Sequence, residues 1–207
     1  MQVIIHCVNK IDNLKEVPLK YGVEIDVRGY GDKILLNHDP IDDPSKYDEL
    51  EVYLQNFSHA FVIFNTKETG YEQKIIDLAE KYNISKEKYF LLDVEFPYLY
   101  RATRKEGIRN IAARYSEAEP IEMAEAQIIN GQPLLEWVWI DTNTILPLDK
   151  NIINRLKPFK TCLVCPERWE RPQDITPYAQ KMKDLNFKLD AVMTAQKYAE
   201  QWEKLME

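Results

Sequence analysis

The sequence predicts an α/β fold, a compact (β/α)8 TIM barrel with short loops. Eight short runs rich in β-branched and aromatic residues recur at intervals of about 25 residues. Helical patterns separate most of these runs, which indicates parallel strands because parallel neighbours need a crossover connection. No G-x-G-x-x-G or Walker loop follows any run, so an open doubly wound sheet is the weaker alternative.

The predicted elements alternate along the whole chain. We expect strands at residues 3–6, 22–28, 60–67, 89–95, 111–116, 136–141, 161–167 and 189–194. We expect helices at residues 11–21, 68–83, 97–106, 120–129, 149–156 and 175–186. Several of these helices open on Pro or Asp, which is typical of helix starts. An extended run at residues 34–37 is interpreted as an extra piece rather than a ninth unit.

Composition indicates a single domain spanning residues 1–207. With 45% apolar and 29% charged residues the chain is too hydrophobic for intrinsic disorder, and no linker-like segment divides it. Its net charge of −7 disfavours nucleic acid as a partner. No apolar stretch approaches the roughly 18 residues of a membrane span, and no secretory signal is visible. We therefore expect a soluble, cytoplasmic protein without an integral membrane segment, whose oligomeric state the sequence leaves open.

The number of cysteines, three, also agrees with a cytoplasmic location. An odd number of cysteines is typical of a reducing environment rather than of a disulfide framework. Cys162 and Cys165 form a C-x-x-C motif, but their flanking residues are those of a strand. Because residues three apart in a strand point to opposite faces, the motif does not favour a redox or zinc site.

Two acids lie on a buried strand at positions that favour a metal. In the run at residues 22–28, Glu24, Asp26 and Arg28 share one face, while the alternate positions are apolar. Burying two ionised carboxylates is costly unless a cation compensates them. A divalent metal, Mg or Ca, suits such oxygen ligands. The alternative is a structural ion network in which the acids pair with Arg28 and Lys67.

Two of the three histidines are expected near these acids. His6 ends the first strand and His38 follows the loop after the second, so both belong to the rim formed by the carboxyl ends of the strands. Asn65 and Lys67 share a face of the third strand, beside the acids. Two histidines next to an acid pair indicate general acid–base chemistry near neutral pH. His59 precedes the third strand at the opposite rim and is interpreted as structural.

The motifs form an ordered set. A histidine ends strand one, Glu-x-Asp follows at residues 24–26, His-Asp-Pro at 38–40, Asn-x-Lys at 65–67, and a last matching segment at 189–194. This set resembles the phosphatidylinositol-specific phospholipase C-like phosphodiesterase barrels, especially glycerophosphodiester phosphodiesterases and the related sphingomyelinase D enzymes. The His-x-Val-Asn at residues 6–9 is similar to the sphingomyelinase D branch. The likeness covers the first third of the chain closely and the last strand loosely.

The resemblance implies a metal-dependent phosphodiesterase. It implies that His6 and His38 share the catalytic acid and base roles. It also implies that a Mg or Ca cofactor is held by Glu24, Asp26 and Asn65. The phosphodiesterases typically carry a carboxylate at the position of Asn65, and a neutral amide there provides less charge compensation.

The substrate-binding candidates come from the resemblance and from strand parity. They are Lys67, Arg28, Arg114, Asn9, Asp93, Trp139 and Glu167. Lys67 would clamp a phosphate oxygen, and Trp139 would stack on a sugar or glycerol face. Arg114 would replace the arginine that the phosphodiesterases carry directly after the first histidine, where this chain has Cys7. The loop at residues 168–172 is either an anion-binding or lid segment or an ordinary exposed loop.

Three functions remain open at this point, and we favour the first. It is the cleavage of a small glycero-, polyol- or sugar-linked phosphodiester, by hydrolysis or through a cyclic phosphate where an adjacent hydroxyl attacks. The second is a catalytically degenerate protein of the same fold that binds a phosphodiester or phosphosugar, because Cys7 and Asn65 depart from the family pattern. The third is a phosphate-handling aldolase or isomerase in which Lys67 forms a Schiff base.

Overall fold

A computed structural model describes residues 1–206, in which eleven strands and eight α-helices are present. The strands are β1 (Gln2–Ile5), β2 (Gly22–Tyr30), β3 (Lys33–Leu36), β4 (Val62–Thr66), β5 (Tyr89–Leu92), β6 (Ala112–Tyr115), β7 (Ile128–Ile129), β8 (Gln132–Pro133), β9 (Trp137–Ile140), β10 (Lys160–Val164) and β11 (Ala191–Thr194). The helices are α1 (Ile11–Glu16), α2 (Leu50–Gln55), α3 (Glu72–Lys81), α4 (Phe96–Arg101), α5 (Glu122–Glu125), α6 (Lys150–Leu156), α7 (Ile175–Asp184) and α8 (Ala199–Met206).

Eight of the strands form a nearly closed barrel. Their order is β5, β4, β2, β1, β11, β10, β9 and β6, and all neighbours are parallel. One isolated parallel bridge, between Leu91 and Ile111, joins β5 to β6 and completes the ring. Helices lie between successive barrel strands along the chain. The predicted (β/α)8 TIM barrel is therefore confirmed.

Two short pairings lie outside the ring. β3 runs antiparallel to the end of β2 after a turn at Gly31, whose φ of +60° favours glycine. The extra extended piece expected at residues 34–37 is thus confirmed. β7 and β8 form a small hairpin around Asn130 and Gly131, which both have positive φ, as a type I′ turn requires.

The barrel interior is solid. Alternate strand residues point inward and form one apolar cluster, while the others face the helices in a larger one. Inside the barrel, the rings of Phe61, Phe90 and Trp137 are in mutual contact, with centroids 4.8 to 5.8 Å apart. Because side chains of residues 1–206 fill the interior, the barrel has no central channel for a ligand in the part of the chain that the structure describes.

Most helices are shorter than predicted. The helix expected at residues 11–21 ends at Glu16, because Pro18 favours an extended conformation at Val17, whose ψ is 128°. The one expected at 120–129 is reduced to α5, and the last two of its residues belong to β7 of the β7–β8 hairpin. Those expected at 68–83, 97–106, 149–156 and 175–186 are present as α3, α4, α6 and α7, and α4 continues in a π-helical turn over Ala102–Glu106. Two helices, α2 and α8, are not predicted from the sequence, because their six and eight residues are too few for a clear helical period.

Within residues 1–206, no helix combines the length and the apolar character that crossing a lipid bilayer requires.

Candidate active site at the carboxyl ends of the strands

A polar cavity of about 210 Å³ opens at the carboxyl ends of the barrel strands. It is lined by His6, Glu24, Asp26, His38, Asn65, Lys67, Arg114, Trp139, Asp141, Val164, Arg168, Trp169 and Met193. The structure thus brings together eight of the predicted site residues. Four others lie outside the lining. Asn9, Arg28 and Asp93 contact residues that form it, whereas Glu167 precedes the lining residue Arg168 and accepts the Ala195 N–H.

Glu24 is held rigidly at the floor of the cavity. Its side chain is 1% exposed. Its Oε2 accepts the backbone N–H of Cys7 at 2.8 Å, and its Oε1 accepts the side-chain amide of Asn65 at 2.9 Å. Cys7 has a left-handed φ of 56°, and in this conformation its N–H reaches the carboxylate. Burial, together with the neighbouring Asp26, raises the pKa of Glu24.

Asn9 positions the second acid from behind the cavity. Its side-chain amide donates to Asp26 Oδ2 at 2.8 Å, and its Oδ1 accepts the Asp26 backbone N–H at 2.8 Å. The other carboxylate oxygen, Oδ1, lies 3.2 Å from Lys67 Nζ. Asn9 therefore fixes an acid of the cavity, while its predicted contact with substrate stays a prediction.

The ion network considered for the acids is present only in part. Lys67 pairs with Asp26, and its Nζ lies 4.0 Å from Asp93 Oδ2. Arg28, in contrast, pairs with Glu68 at 3.0 Å and leaves both buried acids alone. Lys67 is thus the one paired cation near the two buried carboxylates of Glu24 and Asp26 in residues 1–206, so cations of the chain alone do not neutralise both acids.

Two buried oxygens in the cavity fit a hard cation. Asp26 Oδ1 and Asn65 Oδ1 accept no hydrogen bond from any group of residues 1–206, although both are inaccessible to solvent. The β2–β4 register places Asp26 beside Asn65, and Glu24 lies on the same face of β2. Carboxylate and amide oxygens are the ligands that Mg²⁺ and Ca²⁺ take. In the described part of the chain no three His, Cys, Asp or Glu side chains cluster to hold a metal, so a cation here would depend on the amide of Asn65.

The two histidines differ strongly in environment. His6 is mostly buried, with Nε2 3.8 Å from Glu24 Oε2. Burial and, to a smaller extent, the charge of Arg168 lower the pKa of His6 to about 4. The side chain of His38 is 65% exposed, and its Nδ1 lies 3.0 Å from Asp39 Oδ1. His6 is therefore neutral near pH 7, whereas His38 reaches the cavity from a solvated loop.

Arg28 supports the loop that carries His38. Its Nε and one terminal nitrogen donate to the His38 carbonyl at 3.2 and 2.8 Å, and its other terminal nitrogen pairs with Glu68. Arg28 is therefore placed to position the histidine. Its predicted contact with substrate is not tested by this geometry.

Arg114 lies between two carboxylates. It binds Asp93 through two hydrogen bonds of 2.6 and 3.0 Å and donates to Asp141 Oδ2 at 2.9 Å. Trp139 Nε1 also donates to Asp141, at 3.4 Å, which fixes the indole edge. Arg114 thus lines the cavity as predicted, but its positive charge is already compensated.

The loop after β10 brings an arginine whose charge is not compensated. Arg168 lines the cavity, and within residues 1–206 no carboxylate lies within ion-pair distance of it. The loop is fixed on both sides of Arg168. Trp169 Nε1 donates to Asp141 Oδ1 at 3.2 Å, and Glu167 Oε1 accepts the Ala195 N–H at 2.6 Å. The loop thus presents Arg168 to the cavity, while its role as an anion-binding or lid segment stays a prediction.

Sequence reasoning missed two apolar residues of the cavity. Val164 is the last residue of β10 and Met193 the penultimate residue of β11, and both line the cavity between the polar groups. Their inward position follows from strand parity, but an apolar residue on a buried strand carries no chemical signal of its own. Arg168 and Trp169 belong to the loop at residues 168–172, but the sequence of this loop does not predict that their side chains line the cavity.

The other cysteines and the third histidine lie away from this rim. Cys162 belongs to the barrel interior and Cys165 to the layer under the helices, so their opposite orientation agrees with the prediction. Cys165 Sγ accepts the Trp202 indole N–H at 3.1 Å. His59 is buried near the amino ends of the strands, with Nε2 2.9 Å from the Val17 carbonyl.

The fold and the rim site can be compared with known proteins. The chain superposes on the crystal structure of a glycerophosphodiester phosphodiesterase from Agrobacterium tumefaciens str. C58 with a TM-score of 0.61. The superposition covers 93% of this chain and 96% of that one. The two chains share one fold. Their sequences are 12% identical, so the likeness concerns the fold and carries no residue roles. It confirms the (β/α)8 barrel that the sequence predicts.

The sequence comparisons give no match, since no protein-family model and no curated protein matches this chain.

Proposed function

We propose that the protein is a metal-dependent phosphodiesterase that cleaves a small glycero-, polyol- or sugar-linked phosphodiester. One observation carries the proposal: two buried oxygens that accept no hydrogen bond from residues 1–206, on Asp26 and Asn65, lie in the same 210 Å³ cavity as two histidines. When bound by Glu24, Asp26 and Asn65, a Mg or Ca ion would supply the positive charge that offsets the charge developing on phosphate oxygens. The fold shared with a glycerophosphodiester phosphodiesterase supports this reaction class.

The different surroundings of the histidines suggest an order for their roles. His6, with a pKa of about 4, is unprotonated near neutral pH and suits the general base. It would accept the proton of a water or a substrate hydroxyl while that oxygen bonds to phosphorus. His38, solvated and beside Asp39, suits the general acid. It would donate a proton to the leaving oxygen as the phosphorus–oxygen bond breaks.

Two cations of the chain would bind the phosphate. Lys67 lies at the acids, and Arg168 faces the cavity from the loop after β10. Arg168 would supply the positive charge for the phosphate, because the charge of Arg114 is compensated by its ion pairs with Asp93 and Asp141. Trp139, held by Asp141, would offer an aromatic face to a sugar or glycerol moiety.

Cleavage by the purified protein tests the proposal. We expect glycerophosphodiesters to be cleaved in the presence of Mg²⁺ or Ca²⁺, followed by ³¹P NMR, and chelation to stop the reaction. His6→Asn and His38→Asn should each lower the rate by about 10²–10⁴-fold. His59→Asn is the matched control, since His59 lies at the opposite rim, and it should retain the rate per folded molecule. Unchanged turnover by His38→Asn would refute the assignment of roles.

A binding protein of the same fold is the second candidate. It is favoured by the 3.2 Å contact between Lys67 Nζ and Asp26 Oδ1, which places an ammonium where the proposed metal would bind that oxygen. On this alternative, glycerophosphodiesters would raise the melting temperature without any product. The aldolase or isomerase hypothesis is disfavoured, because Asp26 and Asp93 flank the ammonium of Lys67 and a Schiff base requires a neutral amine.

A further inference from the structure

We propose that an apolar groove beside the candidate active site binds an uncharged alkyl chain on one ester arm of the phosphodiester. The inference rests on the proposed function, whose reaction it extends to a narrower class of substrate. The groove lies between the β5–α4 and β6–α5 connections and has a volume of about 460 Å³. It is lined by Asp93, Val94, Phe96, Leu99, Ala112, Ala113, Arg114, Ala118, Glu119, Pro120, Met123 and Gln127.

The groove exists because the barrel is weakly closed at this place. β5 and β6 share only the bridge between Leu91 and Ile111, whereas β4 and β5 pair over four residues. Beyond the bridge the two strands have no further backbone pairing with each other. The wall there carries the small side chains of Ala112 and Ala113, which leave the opened seam unfilled.

The exposed side chains of the groove call for an apolar occupant. Phe96 and Met123 are 53% and 52% exposed, while Leu99 and Ala113, also in the lining, are buried. Large apolar side chains around a concave surface are typical of binding sites, because removing their surface from water lowers the free energy. An alkyl chain in the groove would cover them and lose its own hydration.

The charges of the groove exclude an anionic occupant. Asp93 and Glu119 face it, and the only arginine in its lining, Arg114, is paired with Asp93 and Asp141. At another part of the wall, Gln127 is already bonded to Arg104 at 2.8 Å. An uncharged chain therefore fits, and a second phosphate or carboxylate does not.

The groove adjoins the candidate active site. Arg114 lines both cavities, so a substrate whose phosphate lay at Lys67 and Arg168 would direct one ester arm past Arg114 into the groove. The other arm would remain on the polar side, near Trp139. A phosphodiester with one polar and one alkyl arm matches this arrangement.

A chain-length series tests the proposal. We expect kcat/KM for glycerol phosphodiesters of ethanol, butanol, hexanol and octanol, used below their aggregation concentrations, to rise by up to about fourfold per methylene, from ~0.8 kcal/mol per buried CH₂. Met123→Asp should lower the octyl rate at least tenfold and leave the ethyl rate unchanged. Met123→Leu and Val52→Asp are the controls and should keep the rise, since Val52 is an exposed apolar residue of α2 outside the lining.

Calorimetry with n-alkyl phosphonates tests the groove separately from the phosphodiesterase activity, because these probes bind without being cleaved. Affinity that increases with chain length in wild type and not in Met123→Asp supports the groove even if no diester is cleaved. Turnover of the diesters with a flat chain-length profile would overturn the groove and leave the phosphodiesterase in place. A flat profile in both assays would likewise overturn it.

Discussion

Asn65 controls the charge of the candidate site. It lies beside Asp26 in the β2–β4 register, donates its amide to Glu24, and leaves its own oxygen without a hydrogen-bond donor. A carboxylate at this position would supply the same oxygen with a full negative charge. The neutral amide of Asn65 therefore favours the stability of the cavity when no cation is bound, at the expense of its affinity for a cation.

Asn65→Asp is expected to tighten the binding of Ca²⁺ or Mg²⁺ by about tenfold or more, because it adds a charged ligand. In chelator the same variant should be less stable by about 1–3 kcal/mol, since it exchanges a hydrogen bond to buried Glu24 for repulsion. Calorimetric titration and urea unfolding measure the two effects. Asn56→Asp, at an exposed helix end, is the control. Unchanged cation affinity in Asn65→Asp would place the ion elsewhere.

His6 and Glu24 should have opposite effects on stability as pH changes. The pKa of His6 falls to about 4 on folding, so between that value and 6.5 the unfolded chain binds more protons there and stability rises with pH. The pKa of Glu24 rises above 4.5 on folding, so the folded chain keeps its proton longer and stability falls with increasing pH. In wild type the two slopes oppose each other.

Single variants should reveal each slope when urea unfolding is measured in chelator. In Glu24→Gln the Glu24 effect is absent, so the contribution of His6 to stability, which increases by roughly 2–3 kcal/mol from pH 4 to 6.5, is no longer opposed by it. In His6→Asn stability should decrease as pH rises from 4.5 through the raised pKa of Glu24. A Glu24→Gln profile parallel to that of wild type would contradict the prediction.

At the scale of elements, the start of β2 depends on the absence of a side chain. A Cβ on Gly22 would lie 2.5 Å from Ile4 Cδ1 and 2.9 Å from the Phe61 carbonyl oxygen. This close approach lets β2 enter the barrel between β1 and β4. The residue thus contributes to the placement of Glu24, two positions further along the strand.

Gly22→Ala is expected to destabilise the protein by about 1–3 kcal/mol through overpacking. Ile4→Val removes the nearest atom, Cδ1, so the double variant should recover part of the loss. Urea unfolding of the two single variants and the double variant forms the cycle. Strictly additive effects would show that the Ile4 side chain is not the obstacle.

The loop after β10 is the element that we expect to bind phosphate. Arg168→Ala should raise KM for a phosphodiester about tenfold or more and weaken inorganic phosphate binding, because it removes a charge-assisted hydrogen bond. The melting temperature should barely change, since Arg168 pairs with no carboxylate in residues 1–206. Arg168→Lys should be intermediate, and Glu170→Ala is the neighbouring control. An unchanged phosphate affinity in Arg168→Ala would remove this role.

At the scale of the whole molecule, barrel closure is uneven. β2 and β4 pair over five residues, whereas β5 and β6 meet at one bridge. The weakly paired β5–β6 seam adjoins the apolar groove, so the same loss of strand pairing weakens the closure of the barrel and forms the proposed alkyl-binding groove. Polar chemistry lies on the neighbouring part of the rim, where the strands are paired more fully.

Native-state hydrogen exchange should detect this seam. The Leu91 amide, bonded to the Asn110 carbonyl at 3.0 Å, should open with a lower free energy than the amides of β4, because one bridge rather than a five-residue ladder holds it. Occupation of the groove by octyl phosphonate should increase its protection. Equal opening free energies for Leu91 and β4 would show that the ring opens only as a unit.

Much of the rim was predictable because it follows from strand parity and strand ends. Glu24 and Asp26 alternate with apolar residues on β2, and His6 directly follows β1, so their common location could be inferred locally. Arg168 could not be assigned in this way. Its approach to the cavity depends on bonds from Trp169 to Asp141 and from Ala195 to Glu167, which join positions about 28 residues apart.

The sequence alone determined the barrel class, the rim of the site and the buried acid pair, because hydrophobic periodicity and alternation are local properties of the chain. Only the tertiary structure decided which charges remain available. It neutralises Arg114 between two acids, leaves Arg168 unpaired within residues 1–206, and opens the groove at the β5–β6 seam. The physical reason is that charge compensation and closure depend on pairs of groups from distant strands, whose separations no local pattern encodes.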